Sequence, residues 1–373
     1  MRCGWIVGKP EVMDRLYWNY FRVGLSVAKI FRPPWSNPLI ELAAIVAEFA
    51  MRNISRAVAL LLICRPLLLL AQNPAGHLPT PDQNSILNLY DAFGYQKRGT
   101  ILDWGFSALI HYNGKTILFD TGNNADKFEH NVKALGVDLN QVDIAVLSHR
   151  HYDHISGFDY MLKVKPTVKA YLPADYALGA PMRYTFSHDT KESLAGLPPE
   201  QLYFGGAMNS MDYKPGDRFH GANQEFVPAS REIAPGIYLI VTRSVMLGDF
   251  NAYPPNEPGH PDLAGFPELS LALKTEKGLV LITGCSHSKV EEIIRATKQY
   301  LGSNIELVAG GFHLFPYDAA YISNIAHLMK DDLGVRRVAP AHCTGNLAFK
   351  IFRDVYGENY NYAGVESEVM FPH

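Results

Sequence analysis

Residues 149–154 read His-Arg-His-Tyr-Asp-His, three imidazoles and a carboxylate within six positions. Groups this dense and this polar are costly to bury unless something pairs with them, and a divalent cation pairs with all of them at once. His149 and His151 are two residues apart, so at the extended end of a strand both rings point to one side and can grip one ion. Asp153 and His154 follow as the chain turns toward a helix, with Gly157 permitting the turn, and can face a second ion. The spacing is neither the paired cysteines of a zinc finger nor the helical H-E-x-x-H of a metalloprotease. A polar loop whose rings merely hydrogen-bond would explain one histidine better than three beside an aspartate.

The elements that must hold this stretch are legible around it. "VDIAVLS" (142–148) is a buried strand that runs straight into the motif. "FSALIHYNGKTILFDTG" (106–122) reads as a hairpin turning at Asn113-Gly114. Phe128, Val132 and Leu135 share one face of a helix over 125–137. Strands are expected at 166–173 and 236–245, with a second hairpin over 269–284 turning at Glu276 to Gly278. A helix over 289–301 precedes two short strands, 305–311 and 335–341, separated by a helix over 318–331. Between the early and late parts lies an irregular stretch, about 174–232, rich in Gly, Pro, Tyr and Met, whose length suits a functional cover. Hairpins first and strand–helix units later predict an α/β protein of mixed sheets with helices outside, an αββα four-layer sandwich.

On these residues the sequence resembles the metallo-β-lactamase-fold superfamily. The resemblance implies that H-x-H-x-D-H supplies four ligands of a two-metal centre, and that later strand ends complete it. "LITGCSH" ends with Cys285 and His287, "AGGFHL" carries His313 and "APAHCTG" carries His342. "LFDTG" resembles the family's early motif, in which Asp120 supports the metal loop. Taken in order, "TGCSH", "GGFHL" and "HCTG" resemble the branch of the 7,8-dihydropterin-6-methyl-4-(β-D-ribofuranosyl)aminobenzene 5′-phosphate synthase-like proteins, over residues 84–368.

That likeness assigns His149, His151 and His287 to one ion and Asp153, His154 and His342 to the other. His313 is either a further ligand or a substrate contact. Cys285 and Cys343 are either thiolate ligands or small residues packed behind the histidines. Two departures stand out. The branch's polar triplet is Pro267-Glu268-Leu269 here, leaving Glu268 as the expected substrate contact. Cys285 occupies a strand end where an aspartate commonly bridges the metals.

The function expected from these residues is a metal-dependent hydrolase, its dinuclear centre activating water for attack on an ester, lactone or phosphoester. Asp153 is the expected proton acceptor. Mostly histidine ligands suit Zn first, with Fe(II) or Mn(II) as alternatives, over Ca. The branch implies a transferase that displaces diphosphate, and a non-catalytic metal-binding protein is the third reading. A small-molecule substrate is expected, and the cations suit a phosphorylated one.

Composition narrows the classes further. The 373 residues are 47% apolar and 19% charged, which suits a globular core. A net charge of −3 argues against nucleic-acid binding. Residues 51–71 read "MRNISRAVALLLICRPLLLLA": Arg52 and Arg56 precede an apolar run of about signal-peptide length. A signal peptide or membrane anchor over 51–72, starting at Met51, is expected, with 1–50 an atypical extension or mis-called start. Such a segment would export the protein, periplasmic or membrane-anchored, and give its only membrane contact; otherwise the protein is cytoplasmic. Export disfavours the transferase, because pterin diphosphates are cytoplasmic metabolites. The sequence leaves the oligomeric state open.

Overall fold

Asn113 and Gly114 both adopt positive φ, 47° and 72°, the backbone that lets a two-residue turn follow the twist of its strands. The computed structural model describes residues 83–185, 190–206, 210–213, 218–244 and 266–373. The segments 1–50 and 51–72 lie outside the described residues, as do parts of 174–232. Among the described residues, no helix is long and apolar enough to cross a membrane.

Strand β1 (Ser85–Tyr90) pairs antiparallel with β2 (Ser107–Tyr112), which the Asn-Gly turn joins to β3 (Lys115–Phe119). The next strands, β4 (Ile144–Val146) and β5 (Lys169–Pro173), run parallel to β3. A separate two-stranded sheet pairs β6 (Met182–Thr185) with β7 (Ser210–Tyr213). Strand β8 (Asn223–Val227) then extends the first sheet beside β5. The second sheet holds β9 (Arg231–Ala234), β10 (Ile237–Ser244), β11 (Phe266–Thr275), β12 (Gly278–Thr283), β13 (Ile305–Gly311) and β14 (Arg337–Ala341). A last strand, β15 (Glu368–Met370), returns to β1. The seven-stranded order is β15-β1-β2-β3-β4-β5-β8 and the six-stranded order is β14-β13-β12-β11-β10-β9.

The helices are α1 (Ala125–Leu135), α2 (Tyr152–Ile155), α3 (Phe158–Val164), α4 (Val290–Leu301), α5 (Ala319–His327) and α6 (Asn346–Tyr356). Asn124 caps α1 by accepting the Lys127 N–H at 3.0 Å, and Gly136 closes it in the left-handed conformation.

The period of two along each strand sorts the side chains into layers. Val280 and Ile282 of β12 pack between the sheets with Ile110, Ile117 and Leu271. Their neighbours Leu279 and Leu281 face the other way, against Ile293 of α4 and Phe352 of α6. The outer face of the first sheet packs Leu109 and Leu118 against Phe128 of α1 and Phe158 of α3. Each such apolar side chain contributes about 1.5–3 kcal/mol on burial, and a one-residue register slip would turn every one to the wrong layer. The result is the expected αββα sandwich.

Part of the stretch expected to be a cover is sheet instead. Strands β6, β7 and β8 fall within 174–232, and β9 begins there at Arg231. Only Val227 of β8 is buried, so its sequence carries little hydrophobic alternation.

Two groups of parallel strands carry the candidate ligands just past their C-terminal ends. In the first sheet β3, β4 and β5 run parallel, and in the second β12, β13 and β14 do. The Leu269 N–H of β11 donates to the Ser148 carbonyl at 2.8 Å, tying the loop after β4 to the opposite sheet.

Candidate metal centre

Asp120 follows β3 and is fully buried, in left-handed backbone with φ 57°. One carboxylate oxygen accepts the Ser148 N–H at 2.7 Å. The other accepts the Ser148 hydroxyl at 2.7 Å and lies 2.7 Å from His154 Nδ1. The Ser148 hydroxyl has one proton, and Asp120 takes it. His149 Nδ1, 2.8 Å from the same hydroxyl, must therefore be the donor there. Its Nε2 lone pair is left for the centre. Asp120 thus sets the rings of both His149 and His154.

Gly157 has ordinary helical backbone, φ −78° and ψ −8°, so its role is proximity and not turn geometry. A Cβ there would lie 2.1 Å from the Thr121 carbonyl, which packs the loop after β3 against the motif.

The first cluster joins His149, His151 and His287. His151 Nδ1 lies 3.1 Å from His149 Nε2 and 3.1 Å from His287 Nε2. Burial, then neighbouring histidines, hold His149 and His287 well below the usual imidazole range. Burial and His154 pull His151 down to about 4. All three rings are neutral near pH 7 and offer lone pairs.

The second cluster joins His154, His342 and Asp153. His154 Nε2 lies 3.2 Å from His342 Nε2, and an Asp153 oxygen lies 3.3 Å from His342 Nε2 and 3.8 Å from His154 Nε2. Burial lowers His154, but Asp120 and Asp153 outweigh it and bring the ring up to about 9. Burial raises Asp153, yet His154 and His342 outweigh it and hold the carboxyl well below its ordinary range.

Cys285 lies between the clusters. Its Sγ is 3.1 Å from His154 Nε2. It can share a metal with His149 and His287, with His154 and His342, or with His313 and Cys343, each set of ligand atoms lying within 4.8 Å. Burial pushes its thiol well up, and Cys343, Asp153 and Glu268 add to the effect. His313 is half-buried, its ring 4.5 Å from that of His287.

Glu268, the expected substrate contact, is buried and accepts the His287 N–H at 2.9 Å and the Ser288 N–H at 2.8 Å. It fixes the loop that carries His287. Two more residues act here without any signal in the motifs. Asp91, just past β1, accepts the His342 N–H at 2.9 Å. Burial pushes the Asp91 carboxyl up to about 7 while His342 pulls against it. Ser148 is the other.

Asp120, Ser286, Lys289, His313 and His342 all have φ between 46° and 69°, backbone that L-residues adopt at about 1–3 kcal/mol each. Strain of this kind gathers where side-chain aim matters more than backbone ease.

The donor set fits metal. Four donors about 2.0 Å from a tetrahedral ion stand about 3.3 Å from one another. The separations of 3.1–3.3 Å match that edge. The Nδ1 atoms of His287 and His342 are buried with no hydrogen-bond partner among the described residues.

Residues 105–262 match the sequence profile described as "Metallo-beta-lactamase superfamily". The chain is 27% identical over 273 residues to the 7,8-dihydropterin-6-methyl-4-(β-D-ribofuranosyl)-aminobenzene-5′-phosphate synthase of Methanocaldococcus jannaschii, covering 69% of this chain and 86% of that one. It is likewise 27% identical to an uncharacterised protein of the same organism, covering 70% and 91%. Among solved structures it is similar to a metal-dependent hydrolase of the β-lactamase superfamily, with TM-score 0.56 and 25% identity, covering 78% of this chain and 100% of that one.

Proposed function

We propose that this protein, which belongs to the metallo-β-lactamase superfamily, is a metal-dependent hydrolase that opens an ester, lactone or phosphoester. The observation that carries this reading is the convergence of the two clusters on Cys285 at the strand ends of opposite sheets. His149, His151 and His287 would hold one ion; Asp153, His154 and His342 would hold the other, with Cys285 between them. When bound, the ions supply Lewis acidity, which acidifies water and offsets negative charge developing on oxygen. Asp153 stays ionised beside His154 and His342, and can accept a hydrogen bond from the attacking water and orient it. Asp120 fixes the aim of His149 and His154, and Glu268 and Asp91 fix the backbone of His287 and His342.

Protein purified without chelator should carry about two ions per chain, and should turn over chromogenic phosphodiesters, lactones or esters. Turnover should vanish in Asp153→Ala. Metal content near zero, or turnover that survives chelation, would sink the reading.

The match to a named synthase over 86% of its length favours a second reading, a transferase joining a dihydropterin to a ribofuranosylaminobenzene phosphate. The same ions would then offset charge on a departing diphosphate. Consumption of a dihydropterin diphosphate with no hydrolysis of any substrate in the panel would choose it.

A further inference from the structure

We infer that Cys285, His313 and Cys343 form a third metal site, suited to one soft cation of the Cu(I) kind. The inference goes beyond the two-ion reading and does not need either of its clusters to be filled.

The three residues hold the same position on three neighbouring strands. Parallel β12, β13 and β14 end at Thr283, Gly311 and Ala341. Cys285, His313 and Cys343 each come two residues later. Adjacent strands lie about 4.8 Å apart, so side chains from the outer two must lean over the middle one to meet. The middle strand makes room for them, because it ends in Gly310-Gly311. A Cβ on Gly310 would collide with the Thr283 carbonyl, and one on Gly311 with the Gly284 carbonyl and, at 2.8 Å, with Cys343 Sγ. His313 itself takes left-handed backbone, φ 49°, the kind of strain that aims a side chain. The two sulfurs and a His313 ring nitrogen all lie within 4.8 Å of one another. Both cysteines are buried and neither is in a disulfide. The Cys343 thiol donates to the Cys285 carbonyl at 3.5 Å, a weak tie that a metal–thiolate bond would replace.

The donor set separates this site from the other two. The first cluster offers imidazoles alone, and the second adds a carboxylate. This one offers two sulfurs and an imidazole, and thiolates select soft ions. Three donors complete the coordination of Cu(I), whereas Zn(II) takes a fourth. The origin of the ligands differs as well. Each histidine cluster draws on both sheets, but all three soft donors follow strands of the second sheet alone. His313 also lines a cavity of about 480 Å³, which offers an ion a route in. Cys285 reaches both systems, its Sγ 3.1 Å from His154 Nε2. A soft ion would therefore claim the thiol that lies between the two histidine clusters.

The test titrates the full-length protein, as isolated and without oxygen, with Cu(I) in competition with bicinchoninate. One Cu(I) per chain should bind without loss of the metal already present. Thiolate-to-copper absorption should appear in the ultraviolet, and X-ray absorption at the copper edge should show sulfur and nitrogen neighbours. Cys343→Ser and His313→Asn should each weaken Cu(I) binding more than about 100-fold, beyond the range of a merely supporting residue, with other metal content unchanged. Asparagine keeps the left-handed backbone at 313 accessible. The proposal is overturned if bicinchoninate strips all the copper, if either variant binds like the wild type, or if copper displaces the resident metal ion for ion. Should a variant fail to fold, the copper edge of the wild type still decides, because a sulfur-free ion overturns the proposal. Cys343-dependent copper binding in a protein that carries no other metal and turns nothing over would retire the two-ion reading and keep this one.

Discussion

His151 and His154 lie three residues apart, yet the first is pulled down to about 4 and the second is brought up to about 9. Both are largely enclosed, so burial alone cannot separate them. Carboxylates do. His154 has Asp120 at 2.7 Å on one ring nitrogen and Asp153 at 3.8 Å from the other. In the first cluster the partner of His149 Nδ1 is a neutral hydroxyl, Ser148. In the proposed centre, one half is therefore a set of neutral donors. In the other half His154 holds a proton that a bound metal would displace. The same residue type becomes two kinds of ligand according to whether a carboxylate stands behind it.

The hardest blow to this contrast removes one ligand from each half. His151→Ala and His342→Ala should each lower kcat/KM by on the order of 10²–10³-fold, and each should keep about one ion by elemental analysis. Loss of both ions in either variant would mean that the halves act as one unit. The next effect is in pH. Displacing the His154 proton should make apparent affinity at the second cluster rise about tenfold per unit up to about pH 9 and then level. Affinity at the first should stay flat down to about pH 4. Chelator competition across pH 6–10 checks this, and parallel slopes would break the comparison. Without metal the sign reverses for stability: the raised His154 favours the fold fully below its ordinary value near 6.5, and that gain is lost as pH rises through about 9. The smallest effects come from the supports. Asp120→Asn should weaken the second site about 10- to 100-fold, whereas Ser148→Ala should weaken the first only about fivefold. Equal losses would say that hydroxyl and carboxylate do the same job.

Much of the frame was legible because it is local. Asn113-Gly114 sets a turn by its own backbone preference, and Val280 and Ile282 alternate with Leu279 and Leu281 for reasons contained in one strand. The six-residue knot was legible for the same reason. What escaped reading is made of distant pairs. Asp91 meets the His342 amide across 251 positions, and Asp120 meets His154 across 34. Glu268 was expected against substrate because its neighbours in the chain say nothing of the His287 and Ser288 amides that it receives. Cys285 was left between ligand and packing residue. Its place between both clusters depends on where β12 ends relative to a loop of the other sheet.

The clasp between Asp91 and the His342 amide also orders events in time. Asp91 leaves the ribosome early, and His342 emerges after every other candidate histidine ligand. A nascent chain that already displays His149, His151 and His154 still lacks the strand end that closes the second cluster. Metal capture at that half would therefore wait for the second sheet to be synthesised and docked, so a loaded centre would report that the two sheets have met.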